Sequence, residues 1–364
     1  MPNNTLNFFD TYIMIAIAEE VTPRASFFRD RYFSTGEGDV FAADKVLVEY
    51  RKGDRRMAPF VSRRVGDIPM DRRGYTVHEY EPAYIAPSRL LTLDELRKRG
   101  FGEALYAIST PAERAARLIR DDLTDLEDFI RRREEWMCAQ VMITNACEMQ
   151  TYVDAVTKGE KLFVNFYDGP VSEHTFTVLN KWDSEKGNYR FDVKAMCRML
   201  SKRGLPAADL LLGSDVADFI MEDKRTAELL DKNSGVYLGN GIREQLTAYD
   251  GVTFMGVLNF GGHNLNVFSV DERYLDDDGK DKPVLGPKDV IVTAPNCGSM
   301  KYGQITQIDY GATMPTTYVS QRVPKLVVDQ ENDQRKLRLG TRPLAAPKNY
   351  CPYIYAKDVI GVDP

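Results

Sequence analysis

The chain is poor in the residues that carry most side-chain chemistry. Its 364 residues include three histidines, His78, His174 and His263, which lie far apart and outside any motif. A catalytic site needs a positioned acid, base or nucleophile, and the sequence contains no GxSxG, HExxH or Walker A pattern. Gly239-Asn240-Gly241 lacks the Lys-Ser/Thr that would follow it in a phosphate cradle and reads as a tight turn. Asp276-Asp277-Asp278-Gly279-Lys280-Asp281 lacks the alternate-residue spacing of a calcium loop, and Pro287 stands where a bidentate glutamate belongs. An Asp-Gly hairpin turn is expected there instead. No catalytic, cofactor-binding or metal-binding residue is expected, and the chain is not read as an enzyme. The five cysteines form an odd set without a CxxC. They are expected to be free thiols in a reducing compartment. Cys138 and Cys147 are placed on one expected helix, facing opposite sides. Long apolar runs are also missing. Tyr12–Ala18 is too short to span a bilayer and has no basic leader, so neither a membrane span nor a secretory signal is expected.

Charge of one sign is not in excess. Forty-eight Lys/Arg against 54 Asp/Glu give a net −6, which argues against a histone-like coat on nucleic acid. The charge is unevenly placed, however. Residues 51–73 hold eight basic residues, Arg51, Lys52, Arg55, Arg56, Arg63, Arg64, Arg72 and Arg73, against three aspartates. The stretch is flanked by two expected strands, Val46–Tyr50 and Tyr75–Tyr80, so a long two-stranded loop with a basic tip is expected. A lone ribbon is marginal in water and must lie on something. Phe60 is the one aromatic between Arg51 and Arg73, too few stacking groups for a nucleic-acid groove. An acidic surface is the other partner, and residues 112–157 hold ten acids against six arginines. Pairing between copies follows, each loop lying on a neighbour's helix.

That acidic stretch organises the chain. Thr110-Pro111-Ala112-Glu113 places a capping threonine, a first-turn proline and a glutamate three residues after the cap. Leu118, Ile119, Asp122, Leu126, Phe129, Ile130, Arg133, Met137, Val141, Thr144, Glu148 and Tyr152 then mark a three-or-four spacing, most of it apolar. The spacing predicts a helix over 109–157, a spine of roughly 70 Å with room for a kink.

Before the ribbon, Phe27-Phe28-Arg29-Asp30-Arg31-Tyr32-Phe33 reads equally as the anchor of an arm and as aromatics packed under the main body. After the spine, Lys161–Tyr167 and Glu173–Val178 read as two strands joined around Asp168-Gly169-Pro170. Trp182–Tyr189 looks like a crossing into a second α/β domain inserted into the first. Within it, Val193–Arg203 reads as a helix stopped by Gly204 and Asp209–Leu212 as a buried strand. Gly213-Ser214-Asp215 opens a helix expected to run to about Leu230. Thr253–Asn259, Asn264–Val270 and Asp289–Thr293 read as strands. Pro324–Asp329 and Arg335–Leu339 read as a return to the first domain.

Three stretches, in order, resemble a known family. The first is Phe27–Phe33 followed by Asp44–Val61, in which a strand leads through Gly53 to Met57-Ala58-Pro59-Phe60-Val61. The second is Pro82-Ala83-Tyr84-Ile85-Ala86-Pro87. The third is Leu339-Gly340-Thr341-Arg342-Pro343-Leu344-Ala345-Ala346-Pro347-Lys348-Asn349. Together they resemble the major capsid proteins of tailed phages of the lambda type, the capsid protein E family. The resemblance implies an α+β, Hong Kong-type capsid fold: an N-terminal arm (1–45), an extended β loop (46–90), a peripheral domain with a long spine helix (91–188), an inserted axial α/β domain (189–312) and a return to the peripheral domain (313–364). It further implies a structural protein that self-assembles as pentamers and hexamers into an icosahedral head around double-stranded DNA. A separate scaffolding protein is expected, with a portal and a decoration protein as further partners. The expected location is the virion capsid, after synthesis in the host bacterial cytoplasm. Lysine-asparagine cross-linking is not expected, since Lys52 is the loop's lysine and lies near its base. Arg55, Arg56, Arg63, Arg64, Arg72 and Arg73 are the expected subunit-interface residues. An encapsulin-like nanocompartment shell has the same fold and is the alternative; an unrecognised hydrolase is the alternative of another class.

Overall fold

The structure is a computed structural model. It describes residues 14–15, 24–50, 76–92, 111–152, 157–167, 172–223, 249–309, 312–329 and 334–361. Four α-helices have both ends among them, α1 (Phe27–Tyr32), α2 (Pro111–Thr144), α3 (Tyr189–Lys202) and α4 (Ser214–Glu222), beside one 3-10 turn, Glu37–Asp39. The expected Thr110 cap, the Gly239–Gly241 turn and the join at Asp168–Pro170 lie outside the described residues.

A six-stranded mixed sheet is the middle layer. Its order is 175–176, 353–356, 290–293, 209–213, 263–270, 252–260. Leu210, Leu211 and Leu212 are fully buried because both faces of the sheet are covered, and a strand covered on both sides needs an unbroken apolar run rather than alternation. Leu210 and Leu212 pack with Val193, Met196, Cys197 and Leu200 of α3 and Val216 and Ile220 of α4. Leu211, Phe268 and Ile291 point the other way, into a core shared with Phe27, Phe28, Tyr32, Phe33 and the second half of α2. Gly204 ends the α3 turn at φ 80°, and Gly261 and Gly262 turn the 252–260/263–270 hairpin at φ 63° and 99°, conformations that cost a glycine little.

The long helix serves two cores. Ile119, Leu123, Leu126 and Ile130 lie on Leu326, Leu337 and Leu339, which belong to the three-stranded sheet 323–329, 334–340, 88–92. Met137, Val141 and Met142 enter the aromatic core. The helix is shorter than the spacing predicts, about 50 Å for 34 residues. It stops where Asn145 takes a left-handed conformation, φ 58°, which asparagine tolerates because its short side chain bonds locally. Ala146–Tyr152 is then a strand, antiparallel to Lys158–Asn165. Cys147 therefore sits on that strand, not on the helix, and all five cysteines are buried and free.

Three other expectations are corrected, one by strand pairing and two at helix ends. Residues 158–165 pair with 146–152 and not with the next segment; Thr175–Phe176 instead runs parallel to Tyr355–Ala356. The helix from Ser214 ends at Glu222, and Asp223 is already extended. The α3 helix begins four residues before Val193, at Tyr189, because the Asn188 side chain accepts the Phe191 N–H as its cap. The expected ribbon base is present, Val46–Tyr50 antiparallel to Thr76–Tyr80. Asp276–Lys280 forms the expected hairpin turn, with Gly279 at φ 73° between Arg273–Leu275 and Asp281–Pro283.

Candidate functional site: a charged joint between arm, helix and sheet

The arm aromatics are core. Phe27, Phe28, Tyr32 and Phe33 are all at most 1% exposed, and α1 lies in the angle between the long helix and the sheet. Its position is set by charge as much as by packing. Arg29 Nε reaches Glu134 at 2.8 Å, and Glu134 reaches Arg322 Nη1 at 2.9 Å. Arg322 Nε reaches Glu127 at 2.5 Å, and Glu127 accepts from Arg131 Nε at 3.3 Å. Arg131 Nη1 meets Asp30 at 3.1 Å, and Asp30 returns to Arg29 at 3.0 Å. The six side chains close a ring of alternating sign with no net charge. It joins α1, α2 and the residue that opens the Val323–Asp329 strand.

The Tyr302 hydroxyl braces the ring, accepting from Arg29 Nη2 at 3.0 Å and donating to Glu134 at 3.1 Å. Burial alone would suppress every charge here. For Glu134 it is outweighed by Arg322 and Arg29, which hold the carboxyl below its ordinary range. For Arg322 it is outweighed by Glu134, Tyr302 and Glu127, so the guanidinium stays firmly charged.

Two further carboxylates fix the arm. Glu135 of the long helix accepts the Phe28 N–H at 2.6 Å and the Arg29 N–H at 2.8 Å. It caps α1 from 107 residues away, where Ser26 makes no side-chain cap bond. Asp209, at the start of the central strand, accepts from Arg31 at 2.6 and 3.0 Å, from the Tyr32 hydroxyl at 2.8 Å and from Asn266 at 2.8 Å. Downstream, Phe33 bridges Gly298 and Val40 bridges Tyr302, so the arm continues as a partial strand.

The residues expected at the subunit interface, Arg55, Arg56, Arg63, Arg64, Arg72 and Arg73, lie outside the described residues. Their proposed counterpart is partly consumed within the subunit. Of the ten acids counted on residues 112–157, Glu127, Glu134 and Glu135 are buried. Asp121 and Asp125 are exposed and Asp128 half-buried, and Asp125 is bonded to Arg89 at 2.7 Å. Two of the stretches that carry the family resemblance meet: Ile85 and Thr341 exchange N–H···O bonds of 2.9 Å, and Gly340 lies so close under Tyr84 that an added Cβ would crowd its hydroxyl.

An open cleft of about 770 Å³ runs between the long helix and the 273–283 hairpin, lined by Tyr84, Trp136 and Tyr274 among others. Its rim charges are paired across elements, Arg133 with Asp277 and Lys158 with Asp278. Among the described residues no group of three or more His, Cys, Asp or Glu is placed to hold a metal ion. Among them, too, no helix is long and apolar enough to cross a membrane.

A long helix laid across two sheets, the paired strands Val46–Tyr50 and Thr76–Tyr80 and a buried arm root belong to a shell-forming subunit of the Hong Kong-type phage capsid class. The chain belongs to the phage major capsid protein E family, whose sequence model matches residues 10–357. It is a structural protein of a phage capsid shell. A sequence comparison with curated proteins gives no match. Among solved structures, it is similar to a protein assigned as the capsid protein of an Escherichia coli CFT073 prophage. The identity is 18%, covering 96% of this chain and 99% of that one, with a TM-score of 0.66. It is also similar to a phage-related protein of Bordetella bronchiseptica RB50 (11% identity, 96% and 97% covered, TM-score 0.52). The capsid of Ralstonia phage GP4 is a third (10%, 95% and 93%, TM-score 0.51).

Proposed function

We propose that this subunit assembles as hexamers and pentamers into an icosahedral phage head that encloses double-stranded DNA, and that it does so without enzymatic activity. Residues 46–90 act as the extended loop, with Arg55, Arg56, Arg63, Arg64, Arg72 and Arg73 contacting a neighbouring copy. Residues 1–45 are the arm, 91–188 and 313–364 the peripheral domain and 189–312 the axial domain. The strands Thr175–Phe176 and Tyr353–Ala356 are exceptions, since both lie in the axial sheet, the second paired with Val290–Thr293 and the first with the second. A separate scaffolding protein guides assembly, in the host cytoplasm. The observation that carries this reading is the ribbon base Val46–Tyr50/Thr76–Tyr80, which opens into 25 connecting residues with a local charge excess inside a chain of net −6. Such a ribbon has little to stabilise it alone, and many weak copies of one contact add up in a closed shell.

Negative-stain electron microscopy of the purified chain, alone and with a co-expressed scaffold from the same gene cluster, tests the reading. Polyhedral shells, or six- and five-membered rings, are expected. The Arg63→Glu/Arg64→Glu variant should give folded subunits and no shells. Normal particles from that variant would overturn the role given to the loop.

A further inference from the structure

The two helices that cover one face of the central sheet carry opposite charge on the sides turned away from it. Along α3, Val193, Met196, Cys197 and Leu200 pack into the core beneath. Lys194, Arg198 and Lys202 recur at four-residue spacing on the other side, the first half-buried and the other two exposed, so they form one stripe. Along α4, Val216, Ala217 and Ile220 are buried, while Asp215, Asp218 and Glu222 are exposed at three- and four-residue spacing. Each stripe has an exposed apolar side chain beside it. Phe191 on α3 is 65% exposed and Met221 on α4 is 47% exposed.

Neither stripe is compensated inside the subunit. Among the described residues, none of the six charged side chains has an ion-pair partner. The other charges on these helices are taken up locally. Asp192 accepts from Trp182 Nε1 at 2.9 Å, Arg190 Nε donates to the Tyr189 hydroxyl at 3.1 Å, and that hydroxyl donates to Asp223 at 2.6 Å. Like charges three or four residues apart on a helix repel, so each stripe weakens its own helix, and the core beneath gains nothing from it. The two stripes match in length and in charge. At the helical rise, Lys194 to Lys202 spans about 12 Å and Asp215 to Glu222 about 10 Å, with three charges of opposite sign on each.

Resting on the ring assembly proposed above, we propose that α3 of one copy lies along α4 of the next, with the Lys194–Lys202 stripe on the Asp215–Glu222 stripe and Phe191 and Met221 adding apolar contact. Each copy offers one stripe to either neighbour, so the contact is head-to-tail and closes into rings. Exposed ion pairs hold weakly one by one. Their effect here is to choose the partner face, since α3 repels α3 and α4 repels α4. A phosphate backbone is a poorer partner for the basic stripe, because the acidic stripe stands on the same side of the sheet. An acidic protein other than this chain would leave the α4 stripe unmatched, whereas a second copy satisfies both.

Sedimentation and native mass spectrometry of the full-length chain at low salt read the contact. Lys194→Glu/Arg198→Glu and Asp218→Lys/Glu222→Lys should each leave the circular dichroism unchanged, because these side chains lie on the stripes turned away from the core. Each should weaken association by about tenfold or more, since attraction becomes repulsion. The chain carrying all four substitutions should recover, because the signs are exchanged on both sides of every contact. An equimolar mixture of the two variants should also recover, but only in alternating order. Six-membered rings should return and five-membered rings should not. Association untouched by either variant, or a four-substitution chain no better than its parents, would overturn the proposal. Closed dimers held by two reciprocal contacts would overturn its head-to-tail geometry. Wild-type rings that survive both reversals would remove this contact and leave the ring reading standing. A wild type that stays monomeric at every concentration would also remove the contact, and the shell reading would then stand or fall on its own test with the scaffold.

Discussion

Arg322→Met is the sharpest test of the charged ring. Arg322 is 8% exposed and bonds two carboxylates, Glu127 at 2.5 and 3.0 Å and Glu134 at 2.9 and 3.1 Å. Removing one partner of a buried ion network usually costs about 3–5 kcal/mol, since it leaves charge buried without compensation. Here the cost should sit near 3 kcal/mol, because each carboxylate keeps a second partner. Glu134 retains Arg29 and Tyr302, and Glu127 retains Arg131. For a chain of 364 residues that corresponds to about 4 °C in Tm. Urea unfolding of the subunit at pH 7 measures it directly, and Glu134→Gln supplies the comparison. The double variant should lose less than the sum of the two by over 1 kcal/mol, since directly bonded partners couple. The folded carboxyl of Glu134 is held below its unfolded value, so its contribution is present above about pH 4.5 and disappears as pH falls through the folded value. The deficit of Arg322→Met should therefore shrink in acid. A loss below about 1 kcal/mol, the worth of an exposed pair, would refute the argument that the ring is an internal clamp.

Two further outcomes follow from packing. Gly298→Ala would place a methyl group in the ring of Phe33, which is fully buried; overpacking of that kind costs about 1–3 kcal/mol, measurable as a lower unfolding midpoint. The native subunit should show almost no reactive thiol at pH 8, while the unfolded chain shows five. Burial pushes the thiols of Cys147 and Cys297 up to about 12, and the thiolate is the reactive form. Rapid labelling of even one native cysteine by an aromatic disulfide would contradict this.

How much of this was legible beforehand depended on the kind of signal. Turns written in glycine were clear at Gly204, Gly261-Gly262 and Asp278-Gly279. So was the Leu210-Leu211-Leu212 run, because burial on both faces leaves no polar position to blur it. The end of the long helix was not, because Asn145 breaks it with a left-handed backbone and the apolar spacing continues into the strand that follows. Strand partners were invisible: 158–165 has the right composition for either neighbour, and only the three-dimensional path selects 146–152. The joint was half legible. Glu127 and Glu134 lie in phase with Leu123, Leu126, Ile130 and Met137 on the stripe that faces the interior. Acids in register with an apolar stripe mark buried carboxylates, yet a net-charge count treats them as surface. Their partners Arg29 and Arg322 come from segments separated by 293 positions in the numbering, and nothing local in the chain connects them.

That miscount changes what the ribbon can dock on. With Glu127, Glu134 and Glu135 turned inward, the outward stretch Arg120, Asp121, Asp125, Asp128 and Arg132 has one excess negative charge, and Asp125 already shares Arg89. A strip this weakly acidic cannot hold a basic loop by charge alone, because exposed charges are screened within about 8 Å at physiological salt. Its effect should fall on the rate of encounter more than on the stability of the shell. Phe129, 49% exposed on the same strip, offers the apolar contact that would hold the loop once it arrives. The consequence separates the two roles. Asp121→Lys/Asp128→Lys should slow assembly followed by light scattering, strongly at low salt and hardly at high salt, while Phe129→Ser should lower the final yield at every salt concentration. Adding Asp121→Lys/Asp128→Lys to Arg63→Glu/Arg64→Glu should restore part of the lost rate. If the aspartate reversals leave the low-salt rate unchanged and no restoration is seen, the loop docks elsewhere on its neighbour and the long helix is a strut rather than a landing surface.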